Sequence, residues 1–235
     1  MDFQSPEPRD RALRERVEHG VYGYIAFEQP EFHQLFADRL LKRYGWRVSP
    51  GRRWCHPGVI PGFNVAAARA RRRATALVLM TPVYPPILRA AANMDLTREE
   101  APLARRADGR YEVDVDALHR GDPRPHARSS CSATRTTRWA ASSGATSSQR
   151  LAEVCLRRGL SIVADEIHCE LTYSEAPSHA DRVVSIRRSR ERTITLMAPS
   201  KTFNLAGLKC SVAIVPNRRP AREVHRGAQS TSCRR

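Results

Sequence analysis

No stretch of the sequence approaches twenty apolar residues, so it contains no run of the length a membrane-spanning helix needs. Its opening, Met-Asp-Phe-Gln-Ser-Pro, has neither the basic start nor the apolar run of a secretory leader. Those two absences lead us to expect a cytoplasmic protein with no membrane partner. The cysteines Cys55, Cys131, Cys155, Cys169, Cys210 and Cys233 include no Cys-x-x-Cys pair. Neither a zinc site nor a disulfide framework follows from that spacing, and no metal ligand set is expected.

Acidic residues are also scarce, 24 against 40 Lys and Arg, for a net charge of +16. The shortage is local. Arg52 to Arg73 holds six arginines and no acid, Arg128 to Arg150 four and no acid, and Arg218 to Arg235 six against Glu223 alone. Such a balance ordinarily suggests a nucleic-acid partner. None of the three stretches, however, interleaves basic with aromatic residues as a single-strand binding surface does, so no nucleic-acid partner is expected.

What is present reads as an α/β chain. At 235 residues there is room for one large domain or two small ones with a full core. Residues 8–19 have a helical pattern closed by Gly20, and residues 31–44 a second one closed by Gly45. In the latter, Phe32, Leu35, Phe36, Leu40 and Leu41 recur at helical spacing and are expected in the core. A Gly/Pro turn from Pro57 to Gly62 leads into a helix start, where backbone N–H groups and the helix dipole favour an anion. Leu77 to Met80 reads as a buried strand halted by Pro82, with Tyr84 at its end. Tyr111 to Leu118 alternates as a short strand running into a helix. Arg150 to Arg158 reads as an amphipathic helix closed by Gly159. Helix, glycine, apolar strand, loop and apolar strand then repeat, the grammar of a mostly parallel sheet with flanking helices.

Two of those strands deliver chemistry. Leu160 to Ala164 ends on Asp165-Glu166-Ile167-His168, and Thr193 to Met197 ends on Ala198-Pro199-Ser200-Lys201. In an open α/β sheet the C-terminal ends of strands are where ligands bind. A lysine partly withdrawn from water at such a place serves as nucleophile and base. A carboxylate from one strand and a lysine from the next are what a pyridoxal phosphate site requires.

Asp165-Glu166-Ile167-His168, followed by Ser200-Lys201-Thr202-Phe203-Asn204-Leu205-Ala206-Gly207-Leu208-Lys209, resembles the fold-type-I pyridoxal-phosphate aminotransferases of class I/II. The likeness is to their cystathionine β-lyase-like branch, the MalY/PatB-type C–S lyases. Tyr22-Gly23-Tyr24, Pro57 to Asn64 and Thr81 to Pro86 agree in order and spacing. The resemblance implies the large domain of a pyridoxal-phosphate transferase over residues 1–217, with pyridoxal 5'-phosphate as cofactor and a homodimeric assembly acting on an amino-acid substrate. It further implies that Lys201 forms the covalent link to the cofactor and then takes the substrate's Cα proton. Asp165 pairs with the ring nitrogen, His168 lies near the ring oxygen, and Tyr84 stacks on the ring. Gly58, Val59 and Ile60 give backbone donors to the phosphate, Ser200 a hydroxyl and Lys209 a charge. Tyr24 reaches the phosphate of the neighbouring subunit's site.

The sequence departs from the family's pattern in two places. Where the family carries Asn-Pro-x-Asn-Pro-x-Gly, Ser130 to Gln149 has no Asn, no Pro and no periodicity. Read one base earlier in G/C-rich codons, the stretch yields Asn-Pro-His-Asn-Pro-Val-Gly. Residues 128–149 are therefore expected to be an aberrant segment between two frame changes, and 218–235 an aberrant, disordered basic tail. The small domain, with its carboxylate-binding arginine, is expected to be missing. The activity implied is β-elimination on cystathionine or a related L-cysteine S-conjugate, giving a thiol, pyruvate and ammonia. Transamination on the same Lys201/Asp165 core is the alternative enzyme, and a degenerate, non-enzymatic product is the alternative to either.

Overall fold

The computed structural model describes residues 3–23, 30–48, 53–56, 58–71, 76–105, 107, 109, 111–114, 130–132, 145–171 and 192–215. Among the described residues eight strands form one sheet: β1 (Arg53–His56), β2 (Ala76–Thr81), β3 (Thr97–Arg105), β4 (Tyr111–Val113), β5 (Ser130–Ser132), β6 (Ile162–Asp165), β7 (Thr193–Met197) and β8 (Ser211–Ile214). Their order across the sheet is β1-β8-β7-β6-β5-β2-β3-β4. The pairs β7–β6, β6–β5, β5–β2 and β2–β3 are parallel, while β1–β8, β8–β7 and β3–β4 are antiparallel. The sheet is mostly parallel, as the pattern of strands and helices implied.

Helices cover both faces, which is why the central strands read as unbroken apolar runs rather than alternating ones. The helices are α1 (Glu7–His19), which has no buried residue, α2 (Pro30–Tyr44), α3 (Val59–Arg71), the short α4 (Pro85–Leu88) and α5 (Ala90–Asn93), α6 (Ala145–Arg157) and the single turn α7 (Pro199–Thr202). Along β2 the period of two sends Leu77 and Leu79 to one face, against Phe63 and Ala67 of α3 and Ile87 of α4. Val78 and Met80 go to the other face, with Val154 and Cys155 of α6. A third cluster, Leu40, Trp46, Met197, Val212 and Ile214, seats α2 over β7 and β8.

Glycines close three of these helices where the sequence placed them, Gly45 at φ +61 behind α2 among them. Gly20 stands at φ +71 behind α1. Behind α6, Gly159 at φ +68 donates to the Leu156 carbonyl and Leu160 to that of Cys155, a Schellman stop that turns the chain directly into β6. Helix α6 begins at Ala145, five residues before the periodic stretch, and 130–132 make β5 between β2 and β6. Helix starts rich in Ala, Ser, Thr and Gln need no apolar stripe, so periodicity alone gives no sign of that first turn. The rest of 128–149, residues 115–118 and the 218–235 tail lie outside the described residues.

The expectation that all five apolar residues of α2 are core is corrected by the structure. Leu40 is 1% exposed and Phe32 and Phe36 pack partly against the sheet, but Leu35 is 70% and Leu41 41% exposed. Phe32, Phe36 and Leu40 are four apart and share one stripe. Leu35 and Leu41 each stand one residue off it, about 100° around the helix axis. One stripe suffices because the sheet meets α2 on one side only. Between α2 and the β7 edge lies a largely apolar cavity of about 700 Å³, with Phe36, Tyr44 and Phe203 in its lining.

Candidate active site

The topology gathers one edge of the sheet. Strands β2, β6 and β7 are parallel, so Thr81, Asp165 and Met197 end on the same side. Strand β8 reverses relative to β7 and β1 reverses again relative to β8. Two reversals restore the direction, and His56, the end of β1, comes to that edge beside Ser211, the start of β8. Every predicted site residue that is described therefore sits at or just beyond this edge. Gly58, Val59 and Ile60 follow β1, Tyr84 follows β2, Asp165 and His168 close β6, Ser200 and Lys201 follow β7, and Lys209 precedes β8. Tyr24 lies outside the described residues.

Asp165 is the most enclosed of them, 6% exposed at the last position of β6. Its Oδ1 accepts a hydrogen bond from the Ile167 amide at 3.1 Å. Burial outweighs that bond and pushes the carboxyl up to about 6, and no charge among the described residues enters the balance. A buried carboxylate in this state favours a cationic partner.

Lys201 stands half-buried in the turn α7, which Pro199 opens at its first position. Ser200 is buried beside it. Phe203 donates to the Pro199 carbonyl at 2.9 Å and Leu205 to that of Ser200 at 2.8 Å, closing the turn. Asn204 and Lys209 take left-handed backbone angles, φ +55 and +49. Lys209 is exposed, His168 half-buried, and Tyr84 58% exposed at the start of α4.

At the opposite flank Gly58 holds φ +142, a region other residues enter only with strain, and directs the chain into α3. The first N–H groups of α3 have no intrahelical acceptors, so Gly58, Val59 and Ile60 present donors and the positive end of the helix dipole. Pro61 adds no donor, which limits the set to those three.

This donor set fits pyridoxal 5'-phosphate: a buried carboxylate with no cation against it among the described residues for the ring nitrogen, a lysine for the aldehyde, and helix-start amides with Ser200 and Lys209 for the phosphate. Sequence reasoning missed Glu170, Arg39, Thr202 and Phe203, which meet behind Lys201. The available signal was Glu170 itself, a second acid soon after Asp165-Glu166, two residues past His168.

A family model described as aminotransferase class I and II matches residues 2–232. The cystathionine β-lyase PatB of Bacillus subtilis is 30% identical over 233 residues, covering 93% of this chain and 56% of that protein. The MalY protein of Escherichia coli is 24% identical over 221 residues, 92% of this chain and 54% of its own length. The chain thus spans just over half the length of these relatives. Among solved structures, OvoB superposes with TM-score 0.86 at 27% identity, over 96% of this chain and 59% of its own. The pyridoxal-phosphate-bound C–S lyase of Staphylococcus hominis superposes with TM-score 0.83 at 24% identity, over 96% and 58%, a likeness of fold. With the family pattern running through nearly all of its residues and the fold to match, the chain belongs to the aminotransferase class I and II family.

Proposed function

We propose that this chain provides the cofactor-binding part of a pyridoxal 5'-phosphate-dependent C–S β-lyase acting on cystathionine or related L-cysteine S-conjugates. The observation that carries the reading is the buried Asp165 on the same sheet edge as Lys201, two strand ends that differ in charge and lie in adjacent parallel strands. The identity with a cystathionine β-lyase supports the substrate class.

When bound, pyridoxal 5'-phosphate supplies an aldehyde for the substrate's amine and an electron-poor ring that takes up the electrons freed at the α-carbon. Asp165 would hold a proton on the ring nitrogen by charge, the ring cation offsetting the burial that disfavours its carboxylate. Lys201 would hold the cofactor through its Nζ and, once released, would be the base for the substrate's α-proton. Gly58, Val59, Ile60, Ser200 and Lys209 hold the phosphate. Tyr84 would cover a ring face and His168 would lie on the side of the ring oxygen. Water is consumed, and a thiol, pyruvate and ammonia leave. In this reading the assembly is a homodimer in which Tyr24 reaches the neighbouring subunit's phosphate.

A second reading, amino transfer to a 2-oxo acid, is favoured by the description of the matching family and uses the same Lys201 and Asp165. One experiment separates the two. Purified protein is loaded with pyridoxal 5'-phosphate, covalent attachment is followed by its visible absorbance in the wild type and Lys201→Ala, and cystathionine is added. Pyruvate release without any 2-oxo acid supports the lyase, and turnover only with a 2-oxo acid supports the transferase. Absorbance that Lys201→Ala leaves unchanged would overturn both, and leave the reading of a non-enzymatic product.

A further inference from the structure

Glu170 closes the turn that begins at Ile167, and its side chain is 7% exposed. Arg39 of α2 meets it as a fork, Nε donating to Oε1 and Nη2 to Oε2, both at 2.7 Å. Arg43, one turn further along α2, brings Nε to 3.9 Å from Oε1. The Thr202 hydroxyl donates to the same carboxylate. Arg39 also lies over the Phe203 ring, 5.2 Å from its centre. The carboxylate and the arginine forked onto it thus join the turn that carries His168, the helix α2 and the two residues that follow Lys201.

The arrangement answers a mechanical need. Helix α7 is a single turn, and one turn of helix is unstable on its own because it fixes several dihedrals for few hydrogen bonds. Something outside must hold Lys201 where Asp165 can work with it. Burial alone would raise the Glu170 carboxyl, but the hydrogen bonds from Arg39 and Thr202 with the charges of Arg39 and Arg43 hold it below its ordinary value. It therefore stays charged and bound to both donors, and the planar arginine fork fixes its orientation as a single ammonium would not.

We propose that Glu170, gripped by Arg39, is a positioning residue that holds the Lys201 turn through Thr202 and Phe203. The proposal rests on the reading of Lys201 as the cofactor lysine. It touches neither cofactor nor substrate: its action passes through the backbone of α7.

The test uses Thr202→Val and Glu170→Gln, which preserve size, and two readouts. Amide exchange at Phe203 and Leu205 reports the turn, with Ile194 and Leu196 in β7 as reference. Covalent capture of pyridoxal 5'-phosphate, trapped by borohydride and mapped to Lys201, reports the amine, with Lys42 as the surface control. Both variants should exchange about tenfold faster at Phe203 and Leu205 alone, the loss expected of one charge-assisted hydrogen bond. Capture at Lys201 should slow by a similar factor while capture at Lys42 stays constant. Unchanged exchange in both variants would overturn the proposal. So would faster exchange with unchanged Lys201 capture, which would make the junction structural only. A wild type that captures nothing at Lys201 instead sinks the cofactor reading, and the exchange data still decide whether Glu170 holds the turn.

Discussion

Asp165 and Leu196 stand opposite each other in the β6–β7 ladder, and just beyond them the Glu166 amide donates to the Leu196 carbonyl at 2.8 Å. That register fixes more than a strand pair. It brings the last residue of β6 level with a residue five short of Lys201, so how the lysine stands relative to the carboxylate is set by the connection from Met197 through Pro199 and by what packs behind that turn. A slip of one residue would turn Asp165 to the other face of the sheet, because side chains alternate with a period of two.

The burial of Asp165 makes a pH prediction. Its folded-state carboxyl titrates at about 6, above the ordinary 3.8. Below pH 4 the group is protonated folded or unfolded and contributes nothing to the pH dependence. Between those values the unfolded chain releases its proton first, so stability falls as pH rises and levels off above 6, about 3 kcal/mol lower at most. Urea unfolding from pH 4 to 7 should show this fall in the wild type and a flatter curve in Asp165→Asn. Saturation with pyridoxal 5'-phosphate should flatten the wild-type curve in the same direction. Parallel curves for wild type and variant would sink the argument.

Gly58 yields a second. At φ +142 a side chain is strained, although the space beside it is open enough that a Cβ would meet only Pro61 Cδ at 3.6 Å. Gly58→Ala should therefore cost about 1–3 kcal/mol through backbone conformation rather than collision. The start of α3 should shift with it, so inorganic phosphate and pyridoxal 5'-phosphate should both bind more weakly, measurable by calorimetry beside the thermal melt. Full affinity in a folded variant would remove Gly58 to Ile60 from the phosphate site.

Much of this was legible in the sequence because it is local. Gly20, Gly45 and Gly159 close helices at left-handed angles wherever they sit in a fold, and Asp165 and Lys201 end apolar strands that have to lie side by side to be buried. Other parts depend on partners distant in the chain. The exposure of Leu35 follows from α2 meeting the sheet on one side, and the nine-residue β3, with burial mixed along its length, carries little periodic signal. The Arg39–Glu170 pair joins residues 131 apart, and no spacing rule reaches that far. The antiparallel β1 is legible only through its partner β8.

The contrast within α2 can be measured directly. Leu40 is closed off between α2 and the β7–β8 part of the sheet, so Leu40→Ala should cost about 2–5 kcal/mol, from lost burial plus the cavity left behind. Leu35→Ala removes a side chain already in contact with water and should stay within about 0.5 kcal/mol of wild type. Paired urea titrations give both numbers. Similar losses would mean that α2 packs with its broader apolar face, as periodicity alone suggests.

Asn204, three residues past Lys201, ties the N-terminal segment to the site. Its carbonyl accepts from Ser5 Oγ at 3.2 Å and from Arg9 Nη1 at 3.1 Å, and its side-chain amide donates to the Phe3 carbonyl. The residue also holds φ +55, which asparagine tolerates better than other side chains. Two substitutions separate these contributions. Asn204→Gly keeps the backbone angle and both carbonyl contacts but drops the bond to Phe3, while Asn204→Ala drops that bond and adds strain. Alanine should lie about 1 kcal/mol below glycine in stability, the cost of a left-handed angle for a side chain with no local hydrogen bond. Proteolysis within residues 3–9 should quicken in both, because both release Phe3. Equal stability of the two variants would place the role of Asn204 in its side chain alone, and unchanged proteolysis would place it in the backbone carbonyl that Ser5 and Arg9 share.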